Sequence, residues 1–316
     1  MGQKIAILTW VADTANYGSI LQAYALQEHL LALGYRVEFL YYKSSISDIV
    51  YPPRFVLYVR KIVSKLKRLI GKRYITDTCL THNLHMCREF VSNNINVTEV
   101  IHGCKELSQY ASEYDIYICG SDQIWSLNIK QNPAYFLNWV AQGKIKIAYA
   151  PSIPLEHIDL RKKRFLQYHV TGFNALSVRE QRSAEWLRGI INEKVISVLD
   201  PTLLVGRTFW KSFMGKYPVG QNRRYIVCYF LGHRKFYEKH IRHFENVLGE
   251  EIVIIPTTSD SYRYGYKLAQ NVDPIHFLQL IQNAKMVLTD SYHATIFSLI
   301  FKKSFYIFER FEKKCK

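Results

Sequence analysis

No run of about 18 apolar residues occurs in the chain, so a membrane-spanning helix is not expected. Acidic residues are scarce: 26 Asp and Glu stand against 42 Lys and Arg, a formal net charge of +16. Such a balance favours polyanionic partners, whether phosphorylated small molecules, anionic lipid headgroups or nucleic acid. The six cysteines (Cys79, Cys87, Cys104, Cys119, Cys228, Cys315) form no CxxC pair and no zinc-like spacing, so no metal site is expected. Cys119 and Cys228 lie inside apolar runs and read as buried, reduced thiols. No GxGxxG follows the first strand-like segment, which removes the dinucleotide fingerprint. There is no low-complexity tract and no solenoid-type repeat. The chain opens on strand-like IAILTW without the apolar core of a signal peptide, and MGQKIA lacks the Ser or Thr of a myristoylation signal. A cytoplasmic protein is the expectation.

What is present suffices for two domains: 316 residues, 48% of them hydrophobic. The 23 tyrosines and 17 phenylalanines are spread over strand-like segments with no RNP-type motif, so nucleic acid is not an expected partner. The organising stretch is 285–302, KMVLTDSYHATIFSLIFK. Residues 286–289 read as a short buried parallel strand, Asp290 and Ser291 as N-caps, and the following residues as a helix. That places His293 in the first helical turn at the C-terminal edge of a sheet. Open α/β sheets bind ligands there, and helix N-termini attract anions.

From the N-terminus, a strand over 4–10, a helix over 19–33 and a strand over 36–42 read as a βαβ unit. Asn16, Tyr17, Gly18 and Ser19 form a tight polar turn at the helix start: either a ligand contact or an Asn-Gly-type turn with a Ser cap. Residues 54–73 contain eight Lys and Arg and no acid, interleaved with apolar residues. They read as a basic amphipathic helix, either resting on an anionic membrane or presenting a solvated face. A strand over 115–119 runs into Gly120-Ser121-Asp122. There Asp122 suits a cap, a sugar-hydroxyl acceptor or a base, and Trp125 a core ring or a sugar-stacking face. Further strands are expected over 144–150 and 175–179, with a helix over 158–170 between them. Arg179 leaves the second strand as a candidate anion clamp. A second domain is expected from 195, with ISVLDPTLL, 225–231, 251–256, 286–289 and 305–308 as strands and helices over 235–248 and 274–283. The expected architecture is α/β: two Rossmann-like domains, 1–194 and 195–316, facing a cleft.

The blocks ANYGSILQAYALQ, YDIYICGSDQIW, KIAYAPS, LSVRE, VLDPTLL, CYFLG and TDSYHATIFSLIF, in this order over residues 4–310, resemble the polysaccharide pyruvyl transferase family. The resemblance implies a fold similar to the B-type glycosyltransferases, with a further helical segment after the last strand. It also implies transfer of an enolpyruvyl-derived group from phosphoenolpyruvate to two hydroxyls of a cell-surface saccharide or its lipid-linked precursor, forming a ketal. No cofactor is implied beyond phosphoenolpyruvate as co-substrate. His293 matches the motif histidine, the candidate general acid, and Arg179 the strand-end arginine of the donor site. Asp290, Ser291, Thr295 and Arg310 are further donor-side candidates. Asp122 is the candidate base, with Asn16, Tyr17, Gly18, Ser121 and Trp125 on the acceptor side. If residues 54–73 rest on an anionic membrane rather than present a solvated face, the protein would associate with the inner face of the plasma membrane. Better-described relatives carry Arg-Leu-His-Gly where this chain has Ser291-Tyr292-His293-Ala294. The alternatives are a B-type glycosyltransferase using a nucleotide sugar and a non-catalytic carbohydrate- or membrane-binding relative.

Overall fold

The computed structural model describes residues 2–11, 16–49, 62, 78–127, 132–154, 158–216 and 224–310. The basic stretch 54–73 lies outside them, apart from Ile62. The chain divides into two compact units. Unit 1 draws on Met1–Ala12, Gln22–Arg73 and Val91–Leu204; unit 2 on Asp13–Leu21, Tyr74–Phe90 and Val205–Lys316.

Unit 1 is built on strand β1 (Lys4–Leu8), helix α1 (Tyr17–Ala32) and strand β2 (Arg36–Phe39). The short strands β3 (Tyr42–Lys43) and β4 (Ile101–His102) pair in a small sheet of their own. Between them in sequence lies α2 (Thr78–Asn94), most of which belongs to unit 2. Then come α3 (Gly103–Leu107), β5 (Ile116–Cys119), β6 (Ile145–Ala148), α4 (Leu160–His169), β7 (Ala175–Val178), α5 (Gln181–Ile191) and β8 (Ile196–Ser197). Six of these strands form one parallel sheet, ordered β2-β1-β5-β6-β7-β8. β5 is buried along its whole length, as expected of a central parallel strand covered on both faces. The order reverses between β1 and β5, which makes their C-terminal ends a topological switch point.

Unit 2 comprises α6 (Gly206–Gly215), β9 (Tyr225–Tyr229), α7 (Glu238–Leu248), β10 (Glu251–Ile254) and β11 (Lys267–Leu268). It continues through α8 (Pro274–Asn283), β12 (Met286–Thr289), α9 (Tyr292–Ile300) and β13 (Ser304–Ile307). Its parallel sheet is ordered β11-β10-β9-β12-β13, so the switch point lies between β9 and β12. The first five residues of α1 and Thr78–Phe90 of α2 group with this unit through contacts such as Tyr17 on Phe277 and Phe90 on Phe213.

Two expectations need correction. The ISVLDPTLL segment does not open the second sheet: its strand is only Ile196–Ser197 and pairs with β7 in the first. The units accordingly change at Leu204–Val205 rather than at 194–195, and neither is a single continuous stretch. The helix α6, rich in buried aromatics (Trp210, Phe213), was not anticipated. Among the described residues no helix is long and apolar enough to cross a membrane, and no cluster of three His, Cys, Asp or Glu could hold a metal. Cys119 and Cys228 are free and fully buried.

Candidate active site

In unit 2, β12 ends at Thr289, whose Oγ1 donates to the Tyr229 carbonyl (2.6 Å) and accepts from the Ser291 N–H (3.0 Å). This ties the ends of β9 and β12 together at the switch point. Ser291 is then the N-cap of α9, its Oγ accepting from the Ala294 N–H, and Thr295 Oγ1 donates back to the Ser291 carbonyl (2.9 Å). Both hydroxyls thus serve the helix start. His293 follows in the first turn, 6% exposed, with its ring edge-on to Tyr292 at 5.2 Å between centroids.

The opposing surface is the start of α1. A Cβ built on Gly18 would overlap Cβ, Cγ and Nδ1 of His293, so only a glycine backbone admits the imidazole there. Asn16 caps α1 by accepting from the Ser19 N–H (3.4 Å). Tyr17 is buried, stacked on Phe277 (4.8 Å) and tilted against Tyr229 (5.9 Å). The ANYGS and TDSYHA blocks, far apart in sequence, therefore meet within one unit. Gly18 touches the histidine, while the Tyr17 ring is core and offers no face to a sugar.

Asp290 carries a different burden from the one expected of it. Its Oδ1 accepts from the Leu231 N–H (2.7 Å), and its Oδ2 from the Gly232 N–H and Tyr237 OH (2.8 Å each). Arg310 lies on the same group: its Nη2 donates to the Asp290 carbonyl (3.2 Å) and its Nε is 3.8 Å from Oδ2. A carboxylate so occupied, and negative, fixes the loop after β9 rather than binding an anion. The Nε of Arg310 is buried with no hydrogen-bond partner among the described residues. The Arg310 side chain as a whole is about one-third exposed, leaving a cation at the switch point with donors to spare.

In unit 1 the strand ends converge in the same way. The Thr9 hydroxyl donates to the Ser121 carbonyl (3.1 Å), and the Ser121 N–H donates to Gln22 Oε1 (3.2 Å). Ser121 Oγ lies in donor reach of both the Ala150 carbonyl (3.1 Å) and Asp200 Oδ2 (3.2 Å). Asp200 is fully buried, caps the turn after it through the Thr202 N–H and hydroxyl, and meets Arg179 Nη1 at 3.3 Å. The Arg179 side chain is only 6% exposed and also meets Glu180 at 3.3 Å. It is thus a cation already held by two carboxylates. Tyr149 beside this group has its phenol pushed up to about 12 by burial and by the charge of Asp200. Asp122, 5% exposed, follows directly, its Oδ1 accepting from the Gln123 N–H (2.8 Å). Its Oδ2 is buried with no hydrogen-bond partner among the described residues, and its φ of 67° is a left-handed conformation rare outside glycine. Trp125 is core: its ring stacks on Phe136 (4.8 Å) and its indole N–H donates to the Tyr135 carbonyl (2.9 Å). It presents no face for sugar stacking.

Sequence reasoning did not anticipate Asp200, Glu180, Gln22 or Tyr237 as members of these networks. Asp200 lies in the ISVLDPTLL segment just before Pro201, and only the tertiary pairing reveals its charge partner.

No curated protein matches the chain in sequence. Among solved structures, the UDP-GlcNAc 2-epimerase of Methanocaldococcus jannaschii superposes with a TM-score of 0.55 at 11% identity, covering 99% of this chain and 85% of that one. The UDP-GlcNAc 2-epimerase of Neisseria meningitidis, bound to UDP-GlcNAc, gives 0.51 at 10% identity, over 98% and 84%. An E. coli heptosyltransferase gives 0.44 at 9% identity, over 96% and 87%. The two epimerase likenesses show the fold, an α/β chain with two parallel sheets. A family model describing polysaccharide pyruvyl transferases matches residues 16–310, a span that holds both switch-point networks apart from Thr9, and the chain belongs to that family.

Proposed function

We propose that the protein transfers the three-carbon unit of phosphoenolpyruvate to two hydroxyls of a saccharide, forming a pyruvate ketal, with His293 as the general acid. The observation that carries this reading is His293 itself, in the first turn of α9 at the β9/β12 switch point, held against Gly18. The donor is a dianionic phosphate ester bearing a carboxylate. The N–H groups opening α9 and the guanidinium of Arg310 suit such a ligand.

The chemistry balances as follows. A proton passes from the His293 imidazolium to the methylene carbon of the donor, and the adjacent carbon becomes oxocarbenium-like. One saccharide hydroxyl adds to that carbon, the bond to the bridging oxygen breaks, inorganic phosphate departs, and the second hydroxyl closes the ring. Of the two hydroxyl protons, one restores His293 and the other leaves with phosphate. The His293 region of unit 2 is accordingly assigned to the donor. Arg179 contributes by holding Asp200 and the strand ends around Ser121, rather than as a free anion clamp. The acceptor is a cell-surface saccharide or its lipid-linked precursor.

Titration calorimetry tests the reading with phosphoenolpyruvate and UDP-GlcNAc as competing probes. Binding of phosphoenolpyruvate, weakened in Arg310→Ala and absent for UDP-GlcNAc, is the expected result. Binding of the nucleotide sugar alone would reassign the chain as a sugar-nucleotide enzyme.

A further inference from the structure

The helix α4 (Leu160–His169, LRKKRFLQYH) turns Phe165 and Leu166 into the core of unit 1. At 100° per residue its outward side then carries Leu160, Arg161, Lys163, Arg164, Gln167 and Tyr168. Leu160 is 75% exposed and Tyr168 76%, the two most exposed large apolar side chains among the described residues. They stand two turns apart on one line of the helix, with Arg164 between them. The only carboxylate on the element is its N-cap, Asp159, whose Oδ1 is occupied by the Lys162 N–H (2.8 Å). The helix packed against it, α5, adds Arg182 and Arg188 and a single acid, Glu185, whose carboxylate accepts from Gln181 (2.8 Å). Glu180, at the entry to α5, is engaged by Ser152, Ile153 and Arg179.

We infer that the outer face of α4 docks on an anionic lipid surface, with Leu160 and Tyr168 entering the headgroup layer and the flanking Arg and Lys meeting lipid phosphates. The cations alone would suit any polyanion. The paired exposed Leu and Tyr select a lipid surface, because an apolar side chain and an amphipathic ring gain by leaving water at a bilayer interface and gain nothing on a hydrated polymer. The proposal does not depend on the ketal-forming reading, and its test measures no turnover.

The test is flotation of the full chain with phosphatidylcholine vesicles, alone or mixed with phosphatidylglycerol, alongside retention on immobilised dextran sulfate. Each cation near an anionic surface is worth about 1 kcal/mol, a factor of about five in affinity. Arg161→Glu/Arg164→Glu is therefore expected to weaken binding to the anionic vesicles by about 25-fold or more. Leu160→Ser/Tyr168→Ser is expected to weaken vesicle binding at least tenfold while leaving dextran sulfate retention unchanged. All four side chains point outward, so melting temperatures should match wild type. Failure of the wild-type chain to float would overturn the proposal. So would wild-type vesicle affinity in either double variant, or an equal loss of vesicle and dextran sulfate binding in the Leu160/Tyr168 variant.

Discussion

Gly18→Ala isolates the contact between the start of α1 and the histidine of α9. Within a helix, Gly→Ala ordinarily stabilises by about 1 kcal/mol, because alanine loses less backbone freedom on folding. At Gly18 the sign reverses. The added Cβ falls inside 3.0 Å of three His293 atoms, one of them His293 Cβ, which is fixed by the backbone of α9 and cannot rotate away. Restoring ordinary contact distance requires a shift of about 1 Å between the two helix starts. Overpacking of this kind costs about 1–3 kcal/mol, and a catalytic group misplaced by about 1 Å loses about 100-fold in rate. The variant should therefore fold, melt lower than wild type and turn over about two orders of magnitude more slowly. Gly189→Ala in α5 is the matched control: its Cβ meets nothing within 4 Å and it has no positive φ, so it should be neutral or stabilising with full activity. Thermal melts and steady-state phosphate release read both. A Gly18→Ala protein with unchanged melting temperature and wild-type turnover would refute the placement of His293 against Gly18.

Asp290→Ala removes the acceptor for two backbone N–H groups and the Tyr237 hydroxyl, and the counter-charge of Arg310. Leu231 and Gly232 are half-buried and Tyr237 keeps only a long contact to the Glu309 carbonyl (3.4 Å), and each donor so weakened costs about 1–3 kcal/mol. Denaturant unfolding should show a loss of at least about 3 kcal/mol, and a near-neutral result would mean that the carboxylate is not buried in this network. Arg179→Ala strips the cation from the buried Asp200 and should cost about 3–5 kcal/mol by the same measurement; unaltered stability would return Arg179 to the role of an unpaired ligand clamp. Asp48 is drawn up by burial. That effect is outweighed by hydrogen bonds from the Ser45 and Cys104 N–H groups and Tyr42 OH, leaving its folded pKa below the ordinary 3.8. Its stabilisation is therefore complete above the unfolded pKa and lost as pH falls through the folded one. The melting-temperature gap between wild type and Asp48→Asn should persist at neutral pH and close below about pH 4; a gap that widens in acid would contradict the assignment.

Much of the fold was legible because local patterns and tertiary placement agree in it. The apolar run 286–289, the caps behind it and the helix after them announce β12 and α9 without reference to any other part of the chain. The same holds for β1, α1 and β2. What periodicity does not encode is which polar atoms meet. Arg179 reads as a free cation until Asp200, twenty-one residues on, is brought beneath it. Asp290 reads as a ligand group until the turn after β9 and Tyr237 fill its oxygens. Trp125 and Tyr17, equally suited by chemistry to core or ligand, are settled as core by Phe136 and Phe277. The unit boundary was missed because the two residues of β8, Ile196 and Ser197, carry no mark of which sheet they extend, and because the start of α1 and most of α2 belong to the unit that follows them.

The central claim is that His293 delivers the proton that makes the ketal methyl group. The direct measurement is proton NMR of phosphoenolpyruvate incubated in heavy water with a mixture of cell-surface saccharides, comparing wild type with His293→Ala. Wild type should give a ketal methyl signal carrying one deuterium, with stoichiometric phosphate. His293→Ala, folded by circular dichroism, should give neither. A His293→Ala protein that forms the labelled ketal at a rate near wild type would contradict the account.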